Sequence, residues 1–246
     1  MVRHFASSKP IFTFAALVLM SGLVPASLHA QQRGPEDPED DKKIGLWLDQ
    51  GLSTPLSGKK SFDLEFHERF HEGGSSIYEY FVQGGLAFRP TPWLTVIPIY
   101  RYQRYPGNPA IMYENRLQLN VTLTTPPRRL RFNLRTLIEG RFPDDREASA
   151  RLRFRPGIEY TLPVRMTRPP VLVVNNEFFL VPWNNPFANG GSAFTQNRFQ
   201  IGVRQQVTDS VAMRIYYLWQ SVNLPAGWDT NRIVGISLAF RVPRRS

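Results

Sequence analysis

Charged side chains alternate with apolar ones along much of the segment Arg129–Phe142. One alternate set of positions holds Arg131, Arg135 and Glu139, while the other set holds apolar side chains such as Leu130. Guanidinium groups bind carboxylates and phosphates through paired hydrogen bonds. The chemistry that this spacing offers is therefore ion pairing or anion binding along one face of an extended chain.

The element that positions these charges is a β-strand, because successive side chains of a strand point to opposite faces of the sheet. The segment is also longer than an ordinary strand of about five or six residues. Long strands with one apolar and one polar face are typical of outer-membrane barrels, in which apolar residues contact lipid and polar residues line the lumen.

The composition limits the classes of function. The 246-residue chain has no cysteine, which excludes a disulfide framework and a thiolate metal site. Its formal net charge is +10, but the arginines alternate with apolar residues instead of clustering as in nucleic-acid-binding proteins. We therefore expect no nucleic-acid partner. No lysine follows Lys60, and either a GC-rich genome or the ion-pairing geometry of arginine explains that bias.

The N-terminal region has the layout of a secretory signal peptide. Basic residues precede an apolar run at 11–24, and small residues then lead to Ala30. This run is too short to span a bilayer as a helix, so we predict a signal peptide at 1–30 that is cleaved after Ala30. The polar, acidic segment 31–43 has no apolar periodicity, which favours a disordered linker over a partner-binding tail.

From Ile44 onward, apolar and polar residues alternate between turns rich in Gly, Pro, Asn and Asp, which predicts an all-β fold. The predicted strands are 44–52, 60–70, 76–88, 93–104, 112–124, 129–142, 148–161, 170–182, 194–207, 210–221 and 231–242.

These segments predict an antiparallel transmembrane β-barrel over 44–246, in the outer membrane of a Gram-negative bacterium. Short turns, such as 125–128, alternate with longer connections, such as 105–111 and 222–230, as periplasmic turns and external loops do in such barrels. Single-chain bacterial barrels have an even number of strands, so the odd number of segments leads us to expect about ten or twelve strands.

The polar faces of these strands predict an arginine and glutamate network in the lumen. A loop centred near Ala188 would set Glu177 against Arg198. The predicted lumen residues are Glu65, Arg69, Glu79, Arg101, Glu114, Arg116, Arg131, Arg135, Glu139, Arg151, Arg153, Arg155, Glu159, Glu177, Arg198, Arg204 and Arg214.

The turn centred near Asp145 gives a second register prediction. It would set Glu139 against Arg151 and Arg131 against Glu159, because residues at equal distances from a hairpin turn face each other. Unpaired buried charge is costly, so most inward carboxylates are expected to have an arginine neighbour.

Three functions follow from this architecture. A barrel of about eight strands is filled by side chains and one of about sixteen holds a channel, so the expected barrel lies between them. The leading hypothesis is an outer-membrane barrel of unknown specific role, structural or porin-like, whose Arg/Glu network narrows or plugs the lumen. The first alternative is a narrow, anion-favouring diffusion channel.

The second alternative, an outer-membrane lipid-modifying enzyme, has little support. Such catalysis needs a nucleophile, a base and an orienting group within hydrogen-bond reach. After signal removal the histidines are His67 and His71, and an inward His67, near Glu79, does not suit a triad at the lipid-facing rim. We therefore expect no enzymatic activity, no cofactor and no metal site.

The chain resembles the family known as domain of unknown function 2490, whose members are predicted outer-membrane β-barrels. The resemblance runs from about Trp47 to Phe240 and implies fold and location, without an established activity. The matching pieces are Leu46–Leu48, Glu65–Phe70, Tyr100–Tyr102, Glu114–Leu119, Leu130–Arg141, Arg151–Arg155, Asn176–Phe179 and Asn197–Phe199.

The last strand also resembles the signal by which outer-membrane proteins engage the barrel-assembly machinery. Gly235, Leu238 and Phe240 have its G-x-x-L-x-F spacing, although Arg241–Ser246 follow the aromatic residue. Such a strand can offer an edge for β-augmentation during insertion. The expected partners are therefore outer-membrane lipid and the assembly machinery, and the oligomeric state stays open.

Overall fold

The computed structural model describes residues 44–106, 108, 112–145, 147–183, 193–224 and 227–243. The predicted signal peptide and acidic linker lie outside these residues. No helix within the described ranges is long and apolar enough to cross a membrane. The elements are a short 3₁₀ helix at Glu72–Gly74 and strands β1 (Ile44–Pro55), β2 (Lys60–Phe70), β3 (Ile77–Thr91), β4 (Leu94–Arg104), β5 (Tyr113–Thr124), β6 (Leu130–Pro143), β7 (Ser149–Thr161), β8 (Val171–Trp183), β9 (Phe194–Gln206), β10 (Val211–Leu224) and β11 (Gly227–Arg241).

The strands form one closed barrel in chain order, with β11 returning to β1. Consecutive strands are antiparallel, whereas β1 and β11 are parallel, with Ile44 opposite Arg232 and Ser53 opposite Arg241. The predicted all-β barrel is confirmed. The expectation of an even strand number is wrong for the described chain, because a parallel closing pair lets an odd number of up-and-down strands meet. Ile44 and Arg241 consequently lie at opposite ends of the barrel.

The connection between β10 and β11 is shorter than predicted. The ladder continues through Val222 opposite Asp229 to Leu224 opposite Gly227, so most of the predicted loop 222–230 is strand. Gly227 has a φ of 125°, a conformation that glycine adopts without steric cost. Leu224 and Gly227 therefore face each other where β10 ends and β11 begins.

The outer face of the barrel is apolar. On β5 and β6, Leu119 lies opposite Ile138 and Leu123 lies opposite Leu134. Ile138 is 52% exposed and Leu117 is 59% exposed. Alternation along the strands therefore leaves a continuous apolar surface outside the barrel and directs the polar set of side chains inward.

Tyr216 lies on β10 beside the closing seam, between two glycines. Gly202 on β9 and Gly235 on β11 are its direct partners. A Cβ atom at Gly235 would overlap Cζ of Tyr216, and one at Gly202 would lie 2.5 Å from Tyr216 Cβ. The glycines leave room for the ring to reach across the wall, where its hydroxyl donates to Asp49 Oδ2 at 2.7 Å.

Replacing Gly235 by alanine is expected to lower the free energy of unfolding by about 1–3 kcal/mol, because the new methyl group forces the Tyr216 ring to move. Thermal unfolding in detergent measures the change. Gly51→Ala is the matched control, since its Cβ would lie 3.9 Å from Glu65 Cγ, an ordinary contact. Equal effects of the two substitutions would contradict a packing role for Gly235. Engagement of the assembly machinery by Gly235, Leu238 and Phe240 stays a prediction.

Candidate functional site: an arginine-rich lumen

An elongated cavity of about 480 Å³ occupies the interior of the barrel. It follows β10 along five successive inward positions, from Arg214 to Val222, a span of roughly 27 Å at about 3.4 Å per residue. Its wall carries ten arginines and four carboxylates. The described wall is therefore strongly positive.

The seventeen residues predicted for the lumen fall into two groups, five that form ion pairs without lining this cavity and twelve that line it. Five of them, Glu114, Arg131, Glu139, Glu159 and Arg204, form ion pairs beside the cavity. The twelve that line the cavity are Glu65, Arg69, Glu79, Arg101, Arg116, Arg135, Arg151, Arg153, Arg155, Glu177, Arg198 and Arg214.

A buried network joins β6, β7 and β8. Glu139 lies opposite Arg151, the predicted register, and accepts a hydrogen bond from it. Arg153 donates to Glu139 Oε1 at 3.2 Å and to both oxygens of Glu177 at 2.9 Å. Arg135 donates to Glu177 Oε1 at 2.5 Å. Each buried carboxylate thus has two guanidinium partners, which offsets the cost of removing it from water.

A second ion-pair group lies toward the other ends of the same strands. Arg131 is opposite Glu159, again the predicted register, with 3.6 Å between Nη1 and Oε2. Arg204 on β9 donates to the two oxygens of Glu159 at 3.0 and 2.8 Å. The closer partner of Glu159 is therefore Arg204, and its strand, β9, is not adjacent to β7.

The residue opposite Arg198 on the neighbouring strand is not its hydrogen-bond partner. Arg198 lies opposite Glu177, as predicted, but its Nε donates to Gln220 Oε1 at 2.8 Å. Its guanidinium carbon also lies 4.9 Å from the centroid of the Trp47 ring and 4.8 Å from that of Phe179. The oxygens of Glu177 are already used by the arginines of β6 and β7.

A third group surrounds His67 near the closing seam. Nδ1 of His67 lies 2.6 Å from Asp49 Oδ1, and Nε2 lies 2.9 Å from Glu65 Oε2. Asp49 also accepts from Arg69 at 2.7 Å and from the Tyr216 hydroxyl. From the sequence we expected His67 to lie near Glu79. In the structure, the carboxylates in contact with its ring nitrogens are those of Asp49 and Glu65.

Neither catalysis nor metal binding is favoured by that group. A histidine base needs a free nitrogen to accept the proton of a nucleophile, and carboxylates face both nitrogens of His67. Among the described residues, no group of three or more His, Asp or Glu side chains is arranged to hold a metal ion.

Glu114 is the centre of a fourth group, near the β4–β5 connection. It accepts hydrogen bonds from Arg116 at 2.8 Å, from Arg141 at 2.6 Å and from the Tyr105 hydroxyl at 2.9 Å. Tyr105 follows the end of β4, and burial raises its pKa to about 12. It therefore acts as a neutral hydrogen-bond donor to the carboxylate.

Four arginines of the cavity wall form no ion pair with any described carboxylate: Arg101, Arg155, Arg198 and Arg214. Arg101 donates to Gln83 Oε1 at 2.8 Å and lies 3.9 Å from the Phe81 ring centroid. The other six arginines of the wall are held by carboxylates. The wall therefore contains a paired framework and an unpaired excess of positive charge.

Four residues of these groups are not among the predicted lumen residues: Asp49, Tyr105, Arg141 and Tyr216. Alternation gives a signal for two of them, because Asp49 has the same parity as the cavity-lining Trp47, and Arg141 the same as the neighbouring inward positions of β6. Tyr105 and Tyr216 act through contacts with distant carboxylates, which alternation does not reveal.

Comparison with known proteins matches the chain to a family and to several solved structures, among them a porin and a siderophore receptor. A family described as "Protein of unknown function (DUF2490)" matches residues 44–231. No curated protein matches the chain. The NanC porin structure is 10% identical, with a TM-score of 0.49, over 78% of this chain and 91% of that chain. The siderophore receptor PirA from Pseudomonas aeruginosa is 15% identical, with a TM-score of 0.35, over 73% of this chain and 35% of that chain.

Proposed function

The chain belongs to the DUF2490 family of proteins of unknown function, and from that premise we propose that it is an integral outer-membrane barrel whose narrow, arginine-lined lumen admits small anions. The paired arginines form the framework of the wall in this proposal. The unpaired arginines give the passage its preference for negative solutes.

The outer surface supports the membrane location. Soluble monomers rarely expose contiguous apolar patches larger than a few hundred Å², whereas the outer faces of adjacent strands here are apolar. Trp93 and Trp228, at opposite ends of the barrel, are 53% and 51% exposed. Exposed aromatic rings near strand ends are typical of the membrane–water boundary.

The observation that carries the proposal is the set of four cavity arginines that form no ion pair with a carboxylate of the described residues. Arginine stays charged in proteins, so these side chains leave uncompensated positive charge along the cavity. A charged wall inside a low-dielectric barrel concentrates counter-ions and selects permeating ions by sign. The cavity's extent along β10 supports a passage more than an isolated pocket.

We expect single-channel currents in a planar bilayer, with a reversal potential in a KCl gradient that shows preference for chloride over potassium. Arg101→Gln/Arg198→Gln is expected to reduce that preference, because it removes two unpaired charges and leaves every ion pair intact. The control is Arg168→Gln, which removes an arginine that pairs with Asp209 outside the cavity wall.

Two outcomes would contradict the passage. Absence of current from membrane-extracted, folded barrel would leave the arginine network with a structural role alone. A current whose ion preference is the same in the double variant and in the Arg168→Gln control would mean that the unpaired arginines do not face the permeating ions.

A further inference from the structure

We propose that Arg155 and Arg214 form a binding site within the lumen cavity for a small oxyanion, whose carboxylate or phosphate oxygens accept hydrogen bonds from both guanidinium groups. This inference deepens the proposed function, and it rests on that function for the access of anions to the lumen. The cavity wall would then have one discrete binding site in addition to its general positive charge.

The arginines next to Arg155 occupy the carboxylate that could otherwise pair with it. Arg155 lies directly opposite Arg135 on β6, and Arg135 donates to Glu177 Oε1 at 2.5 Å. The same carboxylate accepts the hydrogen bonds of Arg153. Its oxygens are therefore occupied, and the guanidinium group of Arg155 forms no hydrogen bond or ion pair with any described residue.

Arg214 has the same environment on another part of the wall. It lies directly opposite Arg204 on β9, and Arg204 binds both oxygens of Glu159. On its other side the partner is Ser237 of β11, a hydroxyl side chain on the cavity wall. The contact of Arg214 within the described part of the chain is with the Tyr216 ring, 4.8 Å from its centroid.

The two arginines share one cavity and one kind of neighbour. Both line the same cavity, and each lies directly opposite an arginine that is itself bound to a glutamate. Arg155 lies directly opposite Arg135, and Arg214 lies directly opposite Arg204; like charges in such positions on adjacent strands are destabilising. An anion bound by Arg155 and Arg214 would reduce this repulsion.

The chemistry of the donors defines the ligand class. A guanidinium group presents its N–H groups as a planar fork that matches two oxygens of one carboxylate or phosphate. The other two unpaired arginines are less available, because Arg101 and Arg198 each donate a hydrogen bond to a glutamine oxygen. Arg155 and Arg214 keep the most free donors.

The test is thermal unfolding of the detergent-solubilised full chain, titrated with inorganic phosphate and separately with acetate, against chloride at constant ionic strength. We expect a saturable rise of the midpoint with at least one oxyanion, since a ligand that binds the folded state stabilises it. Arg155→Gln/Arg214→Gln is expected to weaken the apparent affinity by about tenfold or more, the equivalent of one lost charged hydrogen bond.

The variant itself gives a second measurement. Removing two unpaired charges is expected to leave the midpoint without oxyanion unchanged or higher, because like-charge repulsion is relieved. Arg168→Gln is the control, since its exposed pair with Asp209 lies outside the cavity, and it should keep the oxyanion response. A response retained by the double variant would overturn the site. If the double variant does not fold, Arg214→Gln alone provides the same comparison.

The chain contains a further source of carboxylates, because Glu36, Asp37, Glu39, Asp40 and Asp41 precede β1 in sequence. A variant with these residues changed to amides separates the sources. Oxyanion binding by the unmodified chain supports a free ligand, whereas binding gained only in the amide variant overturns the assignment of a free ligand to the unmodified chain. Absence of saturable binding in both forms overturns the proposal.

The binding assay and the conductance assay can fail separately. Saturable oxyanion binding without current would keep the site and contradict the passage. An anion-selective current without saturable binding would keep the passage and contradict the site.

Discussion

Replacing Glu177 by glutamine is expected to lower the free energy of unfolding by about 3–5 kcal/mol, the range for removing one partner of a buried ion pair. Glu177 is 4% exposed and accepts hydrogen bonds from Arg135 and Arg153. Glutamine keeps the size of the side chain but removes its charge. Arg135, which lies opposite Arg155, then loses its carboxylate partner, and Arg153 keeps only Glu139. Equilibrium unfolding in detergent measures the effect.

The matched control is Asp209→Asn, which also turns a carboxylate into an amide. Asp209 pairs with Arg168 at 2.6 Å, but its side chain is 94% exposed. Exposed ion pairs contribute little to stability, because water screens them, so a much smaller change is expected. Similar changes in the two variants would mean that water screens the interior network as well.

The division of side chains between the two faces of the wall could be predicted from the sequence, because a strand has a period of two residues. On β6, alternation assigns Glu139 to the inside and Ile138 to the outside, and both assignments agree with their exposure. Hairpin turns also determine register, which is why Glu139 lies opposite Arg151. These features depend only on neighbouring positions in the chain.

The partners within the lumen could not be predicted in the same way. Arginine side chains are long enough to reach past the facing residue, so Arg204 binds Glu159 from a strand that does not adjoin β7. The contact of Tyr216 with Asp49 further depends on the parallel closure of β1 with β11. That closure contradicts the expected even strand number. The pairing of β1 with β11 and the hydrogen bonds beside it therefore could not be predicted from the sequence.

Replacing Ile138 by arginine is expected to lower the stability of the barrel in lipid vesicles by about 2–4 kcal/mol, the range for a lipid-facing arginine near the bilayer midplane. Ile138 lies near the middle of β6, points outward and is 52% exposed. In water, an exposed isoleucine can be changed to arginine with an effect of about 0.5 kcal/mol or less. The size of the effect therefore distinguishes a lipid-facing surface from a water-facing one.

Leu130→Arg is the matched control on the same strand. Leu130 is the first residue of β6 and is 45% exposed, so its side chain would lie at the membrane boundary, where the expected cost is about 0–1 kcal/mol. Urea unfolding from vesicles should rank the two variants by depth. If both substitutions were neutral, the apolar outer face would not be embedded in lipid, and the proposed membrane location would be wrong, whatever the lumen binds.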